Sequence, residues 1–316
     1  MPRIFVADAR PGDVLQQPFL VQSKDLRTQR SGALYLDLEL MDRTGVVPAK
    51  MWDADRELYE AIAEDDLVMV KARAETYRRK LQLVVTDLRP VQPSEVSLED
   101  FLPSTKQDVA SLVRRLRALA AEVAEPHLAA LLGAFLDDRE FLAAFQRAPG
   151  GLTIHHAWLG GLLEHTVAVA ELARGVGERY PNLDRDLLLA GAILHDIGKV
   201  ESFDYSRALR YTDAGGLVGH LPMGAAMVAR RAEALGGFPR PLLEQLQHLI
   251  LSHHGQHEFG SPVLPATAEA IALHYIDNLD AKLGAYELAL LGDEDERSRW
   301  TSWNRVFGRR LFKPPP

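Results

Sequence analysis

Residues 194–199 read Leu-His-Asp-Ile-Gly-Lys and close a run of apolar residues that begins at Leu187. We predict a helix over 185–195, because the run is rich in leucine and alanine and a glycine follows its end. A buried apolar helix gives no packing reason for adjacent histidine and aspartate at its end. His195 and Asp196 together offer an imidazole and a carboxylate to a divalent metal. The alternative is a polar cap on an exposed helix end.

Other potential metal ligands occupy comparable places in the sequence. His165 lies on the preceding predicted helix, and His220 directly precedes another. His253 and His254 close a further helix, while Asp277 lies inside a long apolar one. Buried carboxylates are rare unless they are paired or bind a metal. This placement favours a metal site over polar groups scattered in solvent.

The composition narrows the class of protein. The chain has 316 residues, of which 47% are hydrophobic and 25% charged, as in a globular protein of about two domains. It contains no cysteine, which excludes disulfides, thiolate catalysis and cysteine-ligated zinc. The longest apolar run is too short to span a bilayer, and the N-terminus does not resemble a signal peptide. We expect a cytoplasmic protein that does not associate with membranes.

The first 92 residues are predicted to form a small β-barrel. Residues 33–40 alternate apolar and polar side chains, as a half-buried strand does, and a turn signal follows at Asp42–Gly45. Strands are expected at 14–23, 33–40, 46–52, 67–76 and 80–91, with a short helix at 55–63. Five strands and one helix in this order suit a closed barrel of the OB type.

After the barrel the pattern becomes helical. Residues 93–103 are a polar linker with two prolines. Amphipathic or apolar helices are predicted at 107–123, 127–148, 157–179, 185–195, 224–235, 241–252 and 266–291, with a hairpin-like excursion at 209–217. The fold class is therefore a multidomain β plus all-α protein. Its expected domains are 1–92, a barrel; 93–150, a linker and helical extension; and 151–316, a helical domain with a basic and aromatic C-terminal segment.

The spacing of the candidate ligands resembles that of a known family. His165, the 195–196 doublet and Asp277 resemble the H…HD…D signature of the HD-domain metal-dependent phosphohydrolases. The runs 155–166 and 277–282, together with the barrel, resemble the YhaM-type 3′–5′ exoribonucleases over nearly the whole chain. The resemblance implies hydrolysis of single-stranded RNA from its 3′ end to nucleoside 5′-monophosphates by a metal-bound hydroxide. Single-stranded DNA is left open as a second substrate.

The same resemblance implies two divalent metal ions. The implied ligands are His165, His195, Asp196 and Asp277 for one ion and Asp196, His220, His253 and His254 for the other. Mn²⁺ is expected first, with Co²⁺, Fe²⁺, Zn²⁺ and Mg²⁺ as alternatives. Lys199 is expected to meet the substrate phosphate, the alternative being a solvated lysine after a helix end. His156 is expected either to contact phosphate or to support a ligand.

Two regions are candidates for nucleic-acid contact. In the barrel these are the aromatic residues Tyr35, Trp52 and Tyr77 and the basic residues Lys24, Arg27, Arg30, Lys50, Arg78, Arg79 and Lys80. Residues 297–313 hold six basic and no acidic residues among aromatic ones, and Arg305, Arg309 and Arg310 are the candidates there. Because the chain has a net charge of −8, such a surface must be a local patch. Packed aromatic rings and solvated charges are the alternative in both regions.

Two other functions compete with the exonuclease. The first is an HD phosphohydrolase of free nucleotides, which would not need a barrel that binds single strands. The second is a single-strand-binding adaptor with an inert HD domain, against which the apparently complete ligand set argues. The sequence leaves the oligomeric state open, a homo-oligomer included.

Overall fold

The computed structural model describes residues 3–78, 80–152, 156–205, 209–293 and 298–314. The chain divides into two compact units, which are described separately below. One comprises Met1–Ser104 with Asp204–Leu209, and the other comprises Thr105–Phe203 with Arg210–Pro316. No helix in the described ranges is both long and apolar enough to cross a membrane.

The first unit contains a closed five-stranded barrel, as predicted. Its strands are β1 (Val14–Thr28), β2 (Leu34–Asp42), β3 (Gly45–Trp52), β4 (Leu67–Tyr77) and β5 (Lys80–Pro90), with helix α1 (Arg56–Ala61) between β3 and β4. The strands are ordered β1-β2-β3-β5-β4 around the barrel, and only the β3–β5 pair is parallel. Strand β1 closes the barrel because it pairs with both β2 and β4, with a register shift between Val21 and Ser23.

The alternation of side chains along β2 determines which of them point into the barrel and which point outward. Leu36, Leu38 and Leu40 are buried in its interior. Side chains of successive strand residues point to opposite faces, so Tyr35 lies on the outer face. Its partner across the β2–β3 register is Trp52. The alternation that places the leucines in the core therefore also places Tyr35 on the surface, opposite Trp52.

The second unit is helical. Its helices are α2 (Val109–Ala120), α3 (Pro126–Leu136), α4 (Arg139–Arg147), α5 (Gly161–Arg179), α6 (Arg185–Leu194), α7 (Lys199–Ser202), α8 (Asp213–Val218), α9 (His220–Leu235), α10 (Arg240–Ser252) and α11 (Ala268–Leu291). Two-residue strands β6 (Phe203–Asp204) and β7 (Arg210–Tyr211) lie between α7 and α8. Every residue of α6 from Leu187 to Leu194 is buried, and α6 packs against α5, α10 and α11. The predicted His-Asp doublet therefore ends a helix inside the protein.

Two predicted elements differ most from the structure; others differ only at their ends, such as β1, which extends to Thr28, and α9, which begins at His220 and so includes it. The single helix predicted at 127–148 is wrong, since α3 ends at Leu136 and α4 begins at Arg139. Asp138 separates them because its carboxylate accepts hydrogen bonds from the backbone N–H groups of Glu140 and Phe141 in the first turn of α4. The hairpin-like excursion at 209–217 is correct only for its first residues, because Thr212 caps helix α8.

Gly198 allows two elements of the site to approach closely. A Cβ atom at this position would lie 2.0 Å from the carbonyl oxygen of His220 and 2.6 Å from the backbone nitrogen of Gly224. The N-terminal turn of α9 therefore rests directly on the backbone that follows Asp196. Only glycine permits this approach, which brings His220 to the doublet.

We expect Gly198→Ala to reduce the free energy of unfolding by about 1–3 kcal/mol, because the added methyl group must push α9 away. Gly175→Ala is the matched control, since Gly175 lies within α5 and a Cβ there meets no atom within 4 Å. That variant should be neutral or stabilising by up to about 1 kcal/mol. Urea unfolding followed by circular dichroism measures both, and equal stabilities would contradict the steric argument.

Candidate metal centre and active site

The carboxylate of Asp196 lies at the centre of a buried cluster of imidazoles. Its Oδ2 atom is 3.3 Å from His195 Nε2 and 3.6 Å from His165 Nε2. Its Oδ1 atom is 3.3 Å from His220 Nε2 and 3.6 Å from His253 Nε2. One carboxylate thus faces two separate pairs of nitrogen donors. These residues come from α5, α9 and the ends of α6 and α10.

Asp277 and His254 add one donor to each side. Asp277 Oδ1 is 3.1 Å from His165 Nε2 and 3.8 Å from His195 Nε2. His254 joins His220 and His253 in a group whose donor atoms all lie within 4.8 Å of one another. The structure therefore brings together all seven residues that the sequence proposed as metal ligands.

Two of these histidines are oriented by the same kind of hydrogen bond to the backbone. His195 and His253 each follow the last residue of a helix, α6 and α10 respectively. Their Nδ1 atoms lie 2.8 Å from the carbonyl oxygens of Ala192 and Ile250, three residues earlier. Carbonyl groups in the last turn of a helix lack partners within the helix, so each ring donates its Nδ1 hydrogen there. This leaves Nε2 as the nitrogen that faces Asp196.

His165 is oriented by side chains instead. Its Nδ1 atom lies 2.6 Å from Asp280 Oδ2, one helical turn after Asp277 on α11. His156 Nε2 lies 3.1 Å from the same Asp280 oxygen. His156 is buried, and it is not among the described residues that line the pocket beside Asp196 and Asp277. Of its two predicted roles, this position favours support of a ligand over contact with phosphate.

Burial and charge oppose each other throughout the cluster. Burial lowers the pKa of His165, but hydrogen bonds to Asp277 and Asp280 outweigh it and raise the pKa to about 9. Burial lowers the pKa of His253 to about 3. Burial would raise the pKa of Asp277, yet its hydrogen bond with His165 and the nearby imidazoles hold that pKa well below its usual range. At neutral pH the cluster therefore pairs the ionised carboxylate of Asp277 with a protonated His165, while His253 is neutral.

The pKa of Asp196 is also held well below its usual range. Burial opposes this, but the charge of Lys199 and the contacts with His195 and His220 prevail. Lys199 Nζ donates to Asp196 Oδ2 at 2.5 Å and to the carbonyl oxygen of Gly150 at 2.6 Å. Its ammonium group is therefore fixed at the cluster and is not a freely solvated one.

The geometry suits divalent cations. Asp196 Oδ1 and His220 Nε2 are buried and make no hydrogen bond within the described part of the chain. A buried polar atom without a partner is costly unless something else satisfies it. Metal bonds to nitrogen and oxygen of about 2.0–2.2 Å place two ligands of one ion roughly 3.0–3.5 Å apart. The distances between donor atoms around Asp196 lie close to that range. The cluster therefore fits the divalent metal ions expected at the site of an HD-domain phosphohydrolase.

A pocket of about 370 Å³ opens onto this cluster. Its lining comprises Asp196, Lys199, His253, His254, Phe259, His274, Asp277, Asn278, Ala281, Lys282, Ala285 and Val306. Four of these residues, Phe259, His274, Lys282 and Val306, were not predicted as site residues from the sequence. His274 Nδ1 bonds the carbonyl oxygen of His253 at 2.8 Å, so it supports a candidate ligand. Its ring packs where a side chain at Gly255 would lie.

Two of the three aromatic candidates of the barrel, Tyr35 and Trp52, lie side by side. The rings of Tyr35 and Trp52 are 5.0 Å apart, and Lys50 Nζ lies 4.9 Å from the centre of the Tyr35 ring. Trp52 is 45% exposed, so it is not a core residue of the barrel. Arg27 and Lys50 both pair with Asp37 beside these rings. Trp52 is therefore accessible to a ligand, while the positive charges of Arg27 and Lys50 are balanced by Asp37 and by Asp25, which lies 2.9 Å from Arg27.

The remaining barrel candidates differ from one another. Tyr77 is exposed at the β4–β5 turn, with Arg78 against its ring and Lys80 beginning the next strand. Arg79 lies outside the described residues. Lys24 is wrong as a phosphate contact, because its ammonium donates to the carbonyl oxygens of Tyr59 and Ile62 at the end of α1.

The C-terminal segment forms a small hairpin, residues 298–313. Bridges join Trp300 to Phe312 and Asn304 to Arg309. Thr301 and Leu311 are buried, while Trp303 is exposed. The basic candidates divide into two kinds. Arg310 Nε donates to the carbonyl oxygen of Thr301 within the hairpin, whereas the exposed guanidinium groups of Arg305 and Arg309 make no hydrogen bond or ion pair within the described ranges.

Comparison with known proteins agrees with both units. Residues 162–282 match the HD domain family, and residues 20–91 match the OB-fold nucleic acid binding domain. The chain is 36% identical over 307 residues to the 3′-5′ exoribonuclease YhaM of Bacillus subtilis (strain 168), covering 96% of each chain. Proteins of the same name from Bacillus pumilus (strain SAFR-032) and Geobacillus sp. (strain WCH70) are each 34% identical, over 96% and 95% of this chain and 96% and 93% of their own. The chain therefore belongs to the YhaM family of 3′–5′ exoribonucleases.

Proposed function

We propose that this protein is a metal-dependent 3′–5′ exonuclease that hydrolyses single-stranded RNA to nucleoside 5′-monophosphates. The observation that carries the proposal is the buried Asp196 carboxylate between two sets of imidazole nitrogens, at 3.3–3.6 Å from each. The relatives from Bacillus and Geobacillus are named 3′-5′ exoribonucleases. Their name supports RNA as the substrate and hydrolysis from the 3′ end. Single-stranded DNA is the second substrate to test.

The residues present would hold two divalent ions that share Asp196. His165, His195 and Asp277 form one side, and His220, His253 and His254 form the other. Mn²⁺ is the first candidate, although nitrogen and carboxylate donors also accept Co²⁺, Fe²⁺ and Zn²⁺. Such ions would supply an activated water and neutralise charge on the phosphodiester.

The protein's own contribution is orientation and charge. Hydrogen bonds to Ala192 and Ile250 fix the rings of His195 and His253, so that Nε2 faces the centre without reorganisation. Asp280 does the same for His165. Lys199 holds a positive charge at the wall of the pocket, where it would meet a non-bridging oxygen of the phosphate.

The barrel would capture the strand before hydrolysis. Tyr35 and Trp52 present aromatic faces on which unpaired bases stack, and Lys50 is placed to contact the adjacent phosphate. This division of labour gives the barrel a role distinct from that of the helical unit. A free nucleotide would gain nothing from such a platform.

Asp196→Asn should reduce hydrolysis of RNA by at least about 10³-fold, since several kcal/mol of transition-state stabilisation are lost. A gel time course on 5′-labelled single-stranded RNA, with Mn²⁺ and with EDTA, measures this. The wild type should shorten the RNA from its 3′ end only with metal. Glu244→Gln on the exposed face of α10 is the control and should retain full activity. Full activity of Asp196→Asn would remove the proposed centre.

Trp52→Ala should weaken binding of single-stranded RNA about tenfold, the loss expected for one base–aromatic stack. Trp52→Phe keeps an aromatic face and should lose less. Fluorescence anisotropy in EDTA separates binding from hydrolysis. Lys50→Ala should make the dependence of log Kd on log salt shallower by about 0.7, as for one lost phosphate contact on a single strand. Unchanged affinity in Trp52→Ala would show that this face does not bind RNA.

A further inference from the structure

The pocket beside the metal cluster has two chemically distinct parts. The metal ligands and Lys199 are polar, whereas Phe259, Ala281, Ala285 and Val306 present apolar surface. These apolar residues do not coordinate metal, and a phosphate would not bind them. Its volume of about 370 Å³ is near the lower end of the roughly 300–1,000 Å³ typical of small-molecule sites. A pocket of this size has room for about one nucleotide beside the reacting phosphate.

Phe259 lines this pocket, and most of its side chain is exposed. It is 62% exposed, so packing within the protein does not account for it. Single exposed aromatic residues are ordinary on a surface, but this one lines the pocket that contains Asp196 and Asp277. An accessible aromatic face at that place can bind the flat face of a base.

The loop that carries Phe259 is tied down on both sides. The backbone N–H groups of Phe259 and Ser261 donate to the carbonyl oxygen of Gln256, at 3.1 and 3.2 Å. His257 Nδ1 lies 3.0 Å from the carbonyl oxygen of Ser261. His254 Nδ1 lies 2.7 Å from the carbonyl oxygen of Phe259 itself. The aromatic side chain is therefore presented by a preorganised loop, which lowers the entropy lost on binding.

The C-terminal hairpin supplies a second apolar surface to the same pocket. Val306 lies at its tip, between the bridged residues Asn304 and Arg309. Phe307 next to it lies 5.6 Å from Lys282 Nζ, which also lines the pocket. The hairpin is anchored by the buried Leu311 and by a hydrogen bond from the Tyr286 hydroxyl to the carbonyl oxygen of Phe312. Residues beyond the segment that matches the HD domain thus complete the pocket.

We propose that Phe259 stacks on the base of the 3′-terminal nucleotide, with Val306 as a further apolar contact, and that the pocket accepts one unpaired nucleotide. The inference rests on the proposed exonuclease function and specifies how that site holds its substrate. Stacking uses the face that every base presents, so it does not select among sequences. Insertion of the terminal base into this pocket requires it to be unpaired, which links the pocket to single-stranded substrates.

The test is a double-mutant cycle that combines changes in the enzyme with a change in the RNA. Two 12-nucleotide RNAs are compared, one natural and one whose 3′-terminal residue is abasic. The full-length wild type, Phe259→Ala, Phe259→Tyr and Tyr180→Ala are assayed for kcat/KM with Mn²⁺ and for Kd by anisotropy in EDTA. Tyr180 is the matched control because it is 56% exposed and lies at the opposite end of α5 from His165. Phe259→Ala keeps the carbonyl oxygen that orients His254.

The wild type should prefer the natural RNA about tenfold in kcat/KM, and the same direction should appear in Kd. In Phe259→Ala this preference should fall to about one, through slower hydrolysis of the natural RNA. Phe259→Tyr and Tyr180→Ala should keep the wild-type preference. A preference that survives in Phe259→Ala, or that is missing in the wild type, overturns the stacking proposal. A wild type that shortens neither RNA but retains the Phe259-dependent preference in Kd would overturn the nuclease function and leave the stacking contact standing.

Discussion

The structure of the helical unit depends on one buried charge, the carboxylate of Asp196. An ionised carboxylate inside a protein is stable only when other groups compensate it. Here Lys199 supplies the positive charge. The surrounding helices deliver imidazoles: His165 from α5, His195 from the end of α6, His220 from the start of α9 and His253 from the end of α10. The close contact at Gly198 brings His220 to this carboxylate, and the burial of α6 from Leu187 to Leu194 places the doublet inside the unit.

The orientation of the rings needs little additional structure. Where a candidate ligand follows the end of a helix, as His195 and His253 do, a carbonyl group of the last turn holds its ring. Where a candidate ligand lies inside a helix, as His165 does, a carboxylate from a neighbouring helix replaces the carbonyl group. Asp280 performs that role and also contacts His156. The centre is thus preorganised by contacts that lie behind the ligands.

The residues that converge on Asp196 could be identified in the sequence because their chemistry stands out against apolar helices. A histidine–aspartate doublet at the end of a leucine-rich helix has no packing explanation, and period-two alternation identified the barrel strands. The prediction failed where long-range contacts decide the outcome. Lys24 reads as a free cation in sequence, but the end of α1, some 35 residues away, takes its ammonium group. Phe259 has no chemical signature of its own, and only its position between Gly255 and Gly260 near the His253-His254 pair hinted at a functional loop.

A metal centre shared by Asp196 is tested most directly by anomalous X-ray scattering from crystals of the Mn²⁺-loaded protein. We expect two manganese peaks per chain, roughly 3.5–4 Å apart, with the Asp196 carboxylate between them. The same measurement on Asp196→Asn should show the pair lost or reduced. A single peak bound without Asp196, or two peaks remote from it, would contradict a two-metal centre at this carboxylate.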